Sequence, residues 1–308
     1  MHQLSAATLK GNWATLLLPM NADDSIDYVV LSDEIDLLIA AGVDGIYSNG
    51  TAGEFHNQTE DEFDKVNALL ADKCHAAGMP FQIGASHPSP VISYERAKRG
   101  VALKPGALQV ILPDWVVANH DEQVNFLSRI AGLDTPLVLY NPPHAKKVLQ
   151  PKEYGDLQQA VPQLIGLKVL IGDASWISGM KEYASNLSVF VPGHFLASGV
   201  KSGVASGAYS NVACINPIAA QKWWQQMQTD IEAALDLEKR MLQFFDECIT
   251  PYKNKGFSNP ALDKFLTAVG GWSAMTTRLR WPYQYISGDD VAAVRKRAQH
   301  LIPEFFNN

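Results

Sequence analysis

Along the first two thirds of the chain, short apolar and β-branched runs alternate with stretches whose apolar residues recur at helical spacing. Residues 13–18 read as a first strand. Leu31, Ile35, Leu38 and Ile39 then share one helical face, and Gly42 stops that helix. Residues 43–48 form a second strand, followed by a glycine-rich loop. Thr59 and Glu62 make a capping-box pattern, and Phe63, Val66 and Leu70 continue the helix it opens. A third strand at 81–84 precedes a helix around 94–100, and a fourth strand covers 107–112. Asn119 and Glu122 cap a further helix, carrying Val124, Leu127 and Ile130 on one face. Residues 136–140, 164–168 and 189–191 supply the next strands. The last, 205–209, is glycine- and serine-rich rather than β-branched.

Strands alternating with helices argue for a parallel sheet. Their number and spacing favour closure into a (β/α)8 TIM barrel over an open doubly wound sheet, with residues 1–216 as the barrel. From Pro217 the pattern changes. Trp223, Met227, Ile231, Leu235 and Met241 recur at helical spacing and no strand follows, so residues 217–308 read as a C-terminal helical extension packed on the barrel.

Composition narrows the function. At 308 residues the chain is long for one domain but suits an α/β barrel, and 47% hydrophobic residues suffice for a large core. A net charge of −7 argues against nucleic acid as a main partner. No apolar run approaches the roughly 20 residues that span a bilayer, so no membrane role is expected. Met1-His2-Gln3-Leu4-Ser5 lacks the basic and apolar regions of a signal peptide. Cys74, Cys214 and Cys248 are scattered and lack metal-ligand spacing, so reduced thiols in a cytoplasmic protein are expected, with no metal.

Candidate chemistry gathers where such barrels place their sites, at the C-terminal ends of strands and in the loops beyond. Lys168 stands alone in the apolar run Leu164-Ile165-Gly166-Leu167-Lys168-Val169-Leu170-Ile171-Gly172. Burial there would favour the neutral amine, a nucleophile toward ketones. A strand-end lysine that snorkels to solvent is the alternative. The loop Asn49-Gly50-Thr51-Ala52-Gly53-Glu54 has small residues that let backbone N–H groups approach an anion, though an ordinary βα turn reads the same way. Tyr140-Asn141-Pro142-Pro143 ends the fifth strand. Its prolines would fix a tyrosine able to relay protons, or one that fills core.

In combination and in order, these segments resemble the dihydrodipicolinate synthase / N-acetylneuraminate lyase family of Schiff-base-forming class I aldolases. Asp27-Tyr28, Ala41-Gly42-Val43-Asp44-Gly45-Ile46 and Gly50-Thr51-Ala52-Gly53-Glu54 look like its first third. Tyr140-Asn141-Pro142-Pro143 matches its tyrosine motif, and Gly166-Leu167-Lys168 with Gly172-Asp173 resembles its lysine motif. The resemblance implies that Lys168 forms an iminium with a 2-keto carbon and that Tyr140 shuttles the proton, positioned by the Thr51 hydroxyl. The Thr51 and Ala52 amides would hold the substrate carboxylate, and Gly193 and Tyr209 would line the pocket. No cofactor beyond this covalent lysine Schiff base is implied. A homo-oligomer, tetramer or dimer, is.

Departures from the family bear on the substrate. Ala52 replaces a second hydroxyl residue, and Val169 a residue that is often polar. Ala145 stands where the family's synthases carry an arginine for a second carboxylate, and the nearby lysines are not an equivalent clamp. Synthase activity is therefore disfavoured. Trp115 replaces a tyrosine that many members lend across a subunit interface, and reads either as a pocket wall or as interface packing. His56, His144 and His194 lie in rim loops, with His144 and His194 the better placed to contact a hydroxylated tail. The resulting expectation is a lyase that cleaves a 2-keto-3-deoxy sugar acid to pyruvate and an aldehyde. A dehydratase working through the same iminium, and a catalytically weak keto-acid-binding relative, are the alternatives.

Overall fold

The computed structural model describes residues 3–307. Eight parallel strands close in chain order into a barrel. They are β1 (Gly11–Thr15), β2 (Gly45–Ser48), β3 (Phe81–Gly84), β4 (Ala107–Ile111), β5 (Leu137–Tyr140), β6 (Leu164–Lys168), β7 (Ser188–Val191) and β8 (Gly207–Ser210). A helix follows each strand, from Tyr28–Ala40 after β1 to Asn211–Ile215 after β8. The helices Pro217–Thr229, Ile231–Cys248, Asn259–Gly270 and Val291–Leu301 dominate the C-terminal extension. No helix among the described residues is long and apolar enough to cross a membrane.

Local signals act as expected from the sequence. Asp27 caps the helix Tyr28–Ala40 by accepting from the Val29 and Val30 amides at 3.0 and 3.1 Å. Gly42, at φ +68, then turns the chain away in a conformation that costs a residue with a Cβ. Both capping boxes form: Thr59 with Glu62, and Asn119 with Glu122.

Two strands differ from expectation. β1 begins at Gly11 and ends at Thr15, so the apolar run Leu16-Leu17-Leu18 lies beyond the ladder as buried loop. Its amides are satisfied elsewhere: Leu16 donates to the Tyr47 carbonyl at 2.9 Å and Leu17 to Glu34 Oε1 at 3.2 Å. β8 sits two residues later than expected at its start. It must close against β1, and a Cβ at Gly207 would lie 2.4 Å from the Gly11 carbonyl oxygen, so only glycine permits the approach.

The apolar residues form two cores. One fills the layer between strands and helices. The other fills the barrel itself, around Leu9, Trp13, Tyr47, Val138, Phe190 and Tyr209. The rings meet edge to face, with Tyr47 and Tyr209 centroids 4.5 Å apart and Trp13 and Tyr209 6.2 Å apart. This packed aromatic interior is the floor on which the candidate site stands.

Candidate active site

Register puts the two principal side chains together. Tyr140 pairs with Lys168 across β5 and β6, and parallel partners in register share a face. Both are the last residues of their strands, and both point inward above the aromatic floor. The Lys168 amine donates to the Tyr47 hydroxyl at 2.6 Å. It also lies 4.3, 4.6 and 5.3 Å from the ring centroids of Tyr140, Tyr47 and Tyr209. The ring faces favour the cation, but they do not replace its lost hydration. Burial therefore lowers the Lys168 pKa from 10.5 to about 7, against the opposing charge of Asp263. A substantial fraction of the amine is neutral near pH 7, the state that adds to carbonyls.

The phenols around it stay protonated. Burial raises Tyr47 well above the usual tyrosine range, and raises Tyr140 and Tyr209 as well. The Tyr209 hydroxyl donates to Gln82 Oε1 at 2.6 Å, which fixes its ring beneath the lysine. The Thr51 hydroxyl approaches Tyr140 Oη at 3.4 Å and moderates the burial effect there. Asn141 holds the loop that follows Tyr140: its side chain donates to the Lys147 carbonyl at 3.0 Å and accepts from the Leu149 amide and Tyr154 hydroxyl at 2.8 and 2.9 Å.

The loop after β2 is bracketed by Asn49 and Glu54, both at positive φ, 54 and 52°. Such strain persists only where the surroundings enforce it. Lys264 enforces it here, donating to Glu54 Oε1 at 2.6 Å in full burial. Among the described residues, neither the Thr51 nor the Ala52 amide has a protein acceptor, whereas the Glu54 amide returns to the Thr51 carbonyl at 3.0 Å. Two free N–H groups beside a neutral amine make a place for a small anion with a carbonyl next to it.

Lys168, Tyr140, Thr51, Ala52, Tyr209 and His194 line one cavity of about 510 Å³. His194 stacks on Phe245 with centroids 4.6 Å apart, and its Nδ1 hydrogen-bonds with the Asn211 side-chain amide at 2.8 Å. Burial holds its pKa at about 4, so it is neutral. His144 is not brought to the lysine. With His56 and Ala145 it borders an adjoining cleft of about 660 Å³ that shares Thr51 and Tyr140 with the first. Trp115 lines neither cavity; its side chain is 82% exposed, with the Lys146 amine 4.9 Å above its ring. Gly193 is absent from both linings too, and its backbone instead packs against Ser210 and Asn211.

Sequence reasoning missed Tyr47 and Asp263. Tyr47 reads as core filling until the barrel closes and sets its hydroxyl against Lys168. Asp263 gave the clearer signal. It lies on the apolar helix face of Leu262 and Leu266, a charged misfit of the same kind as Lys168.

A closed (β/α)8 barrel with its polar groups gathered at the strand ends is the architecture of a barrel enzyme. The chain belongs to the dihydrodipicolinate synthetase family, whose model matches residues 8–301. It is 28% identical over 276 residues to a 4-hydroxy-tetrahydrodipicolinate synthase of Thermomicrobium roseum, an alignment covering 88% of each chain. Among solved structures it resembles YagE, a prophage protein of the dihydrodipicolinic acid synthase family from E. coli K12 crystallised with pyruvate. The TM-score is 0.83 at 20% identity, covering 95% of this chain and 98% of that one. N-acetylneuraminate lyase from Fusobacterium nucleatum gives a TM-score of 0.82 at 18% identity, covering 96% and 99%. The family is one of lyases and aldolase-type synthases, and this protein is a lyase.

Proposed function

We propose that the protein is a Schiff-base lyase that cleaves a 2-keto-3-deoxy sugar acid to pyruvate and an aldehyde. The carrying observation is the Lys168 amine, brought to a pKa of about 7 in a cavity it shares with Tyr140 and Thr51. The substrate carboxylate lies on the free Thr51 and Ala52 amides. The neutral amine adds to C2, water leaves, and an iminium results. Having given its own proton to the hydroxyl that left C2 as water, the Tyr140 phenolate accepts the C4 hydroxyl proton, the C3–C4 bond breaks, and its electron pair passes into the iminium as an enamine while the aldehyde departs. Protonation at C3 and hydrolysis release pyruvate and restore the lysine. The iminium is the electron sink, so this sequence asks for no further cofactor.

Ala145 supports a substrate without a distal carboxylate at that position, which separates this reading from synthase activity. The protein is further proposed to act as a homo-oligomer, with the Trp115 loop at the contact.

Borohydride reduction in the presence of pyruvate tests the reading. A stable adduct is expected on the Lys168 peptide and none in Lys168→Ala. No adduct with the unaltered protein would overturn the enzymatic reading in favour of a weak keto-acid binder. Product analysis with a 2-keto-3-deoxy sugar acid then decides the reaction: free pyruvate supports cleavage, and a dehydrated keto acid without pyruvate would make the protein a dehydratase.

A further inference from the structure

One carboxylate in the lysine cavity is unexplained by this chemistry. Asn259, Leu262, Asp263 and Leu266 line the cavity from the helix Asn259–Gly270, at the spacing of a single helix face. Asp263 is the one acid on that face. Its carboxylate makes no hydrogen bond to a side chain or backbone group and no ion pair within 4.0 Å among the described residues. It lines the same cavity as Lys168, Tyr140 and Tyr47, and burial raises its pKa from 3.8 to about 7 against the lowering pull of the Lys168 charge. Asp246 and Lys253, of opposite sign, line the same cavity, so Asp263 is the acid there that faces Lys168 from an otherwise apolar helix face. An acid left without a donor on an apolar face costs stability, and a ligand that brings donors offsets that cost.

We propose that Asp263 is a substrate-binding residue, its carboxylate accepting hydrogen bonds from hydroxyls of the substrate chain beyond C3 and repelling keto acids that carry a second carboxylate. This rests on the Schiff-base reading, because it takes the keto end of the substrate to be held at Lys168. A polyhydroxylated tail supplies donors and no charge. A dicarboxylate would set two anions together in a confined space, an arrangement that excludes wrong ligands strongly.

The test is borohydride trapping on Lys168 with pyruvate, a 2-keto-3-deoxyhexonate and 2-oxoglutarate, with the half-saturating concentration of each read by peptide mass spectrometry. In the unaltered protein the hydroxylated acid is expected to saturate at a concentration about tenfold or more below 2-oxoglutarate. Asp263→Leu should raise the value for the hydroxylated acid by about tenfold, the worth of a hydrogen bond to a charged group. Each value is read as its ratio to pyruvate in the same variant, which cancels any change in the Lys168 amine itself, and the ratio for 2-oxoglutarate should fall. Asp263→Asn keeps an acceptor without the charge, so it should retain most affinity for the hydroxylated acid while admitting 2-oxoglutarate. Values for all three acids moving together, or no change with the hydroxylated acid, would overturn the role of Asp263 while leaving the Schiff base intact. Absence of any adduct in the unaltered protein overturns both.

Discussion

A lysine amine stripped of water titrates early unless an anion compensates, and at Lys168 the opposing charge is that of Asp263, itself raised to about 7 by burial. The neutral amine is the reactive form, so its reactivity should follow the folded-state pKa. Competitive labelling of Lys168 by a small activated ester, quantified across pH, is expected to rise through a midpoint near 7 and level off above about pH 8. A midpoint near 10.5 would make Lys168 an ordinary snorkelling lysine. Asp263→Asn should move the midpoint lower, because the carboxylate charge raises it. At this scale the sequence carried Lys168, Tyr140 and Thr51, since each is a chemical misfit or a motif at a strand end. It could not carry the partnership of Lys168 with Tyr47 or Asp263, which depends on closure of the sheet and on a distant helix folding over it.

Loops become sites when elements from elsewhere hold them, and the loop after β2 is held by the helix Asn259–Gly270. Lys264 is fully buried between Glu54 and the Arg278 carbonyl, donating at 2.6 and 2.7 Å. Glu34 lies in the same field, raised to about 8 by burial, so it is neutral near pH 7 and leaves Lys264 paired with Glu54. Removing the cation alone strands a buried carboxylate, which typically costs about 3–5 kcal/mol, whereas replacing both partners is far milder. Lys264→Met should therefore lower the urea midpoint strongly, and the further change Glu54→Gln should restore most of it. Equal midpoints for single and double variants would show that the pair does not hold the loop. The capping boxes and most strands were legible because their signals are local. The edges of β1 and β8 were not, because what ends them is the register of barrel closure between Gly11 and Gly207.

At the scale of the whole molecule, one exposed apolar patch borders the site. The loop after β4 presents Trp115, Val116 and Val117 in succession, 82, 79 and 42% exposed, beside the cleft bordered by Val117, Thr51 and Tyr140. Scattered apolar residues on a surface are ordinary, but three in sequence around a tryptophan form a patch suited to a partner. A second copy of the chain placed here would cover the tryptophan and wall the outer cleft at once. Sedimentation velocity of the unaltered protein is then expected to show an assembly. Trp115→Glu, which sets a charge at the centre of the patch, should shift it toward monomer as the concentration falls. Because Thr51 and Tyr140 also line that cleft, the monomer should lose turnover of long substrates while still forming the pyruvate adduct at Lys168. A monomeric unaltered protein, or an assembly indifferent to Trp115→Glu, would remove this loop from the contact.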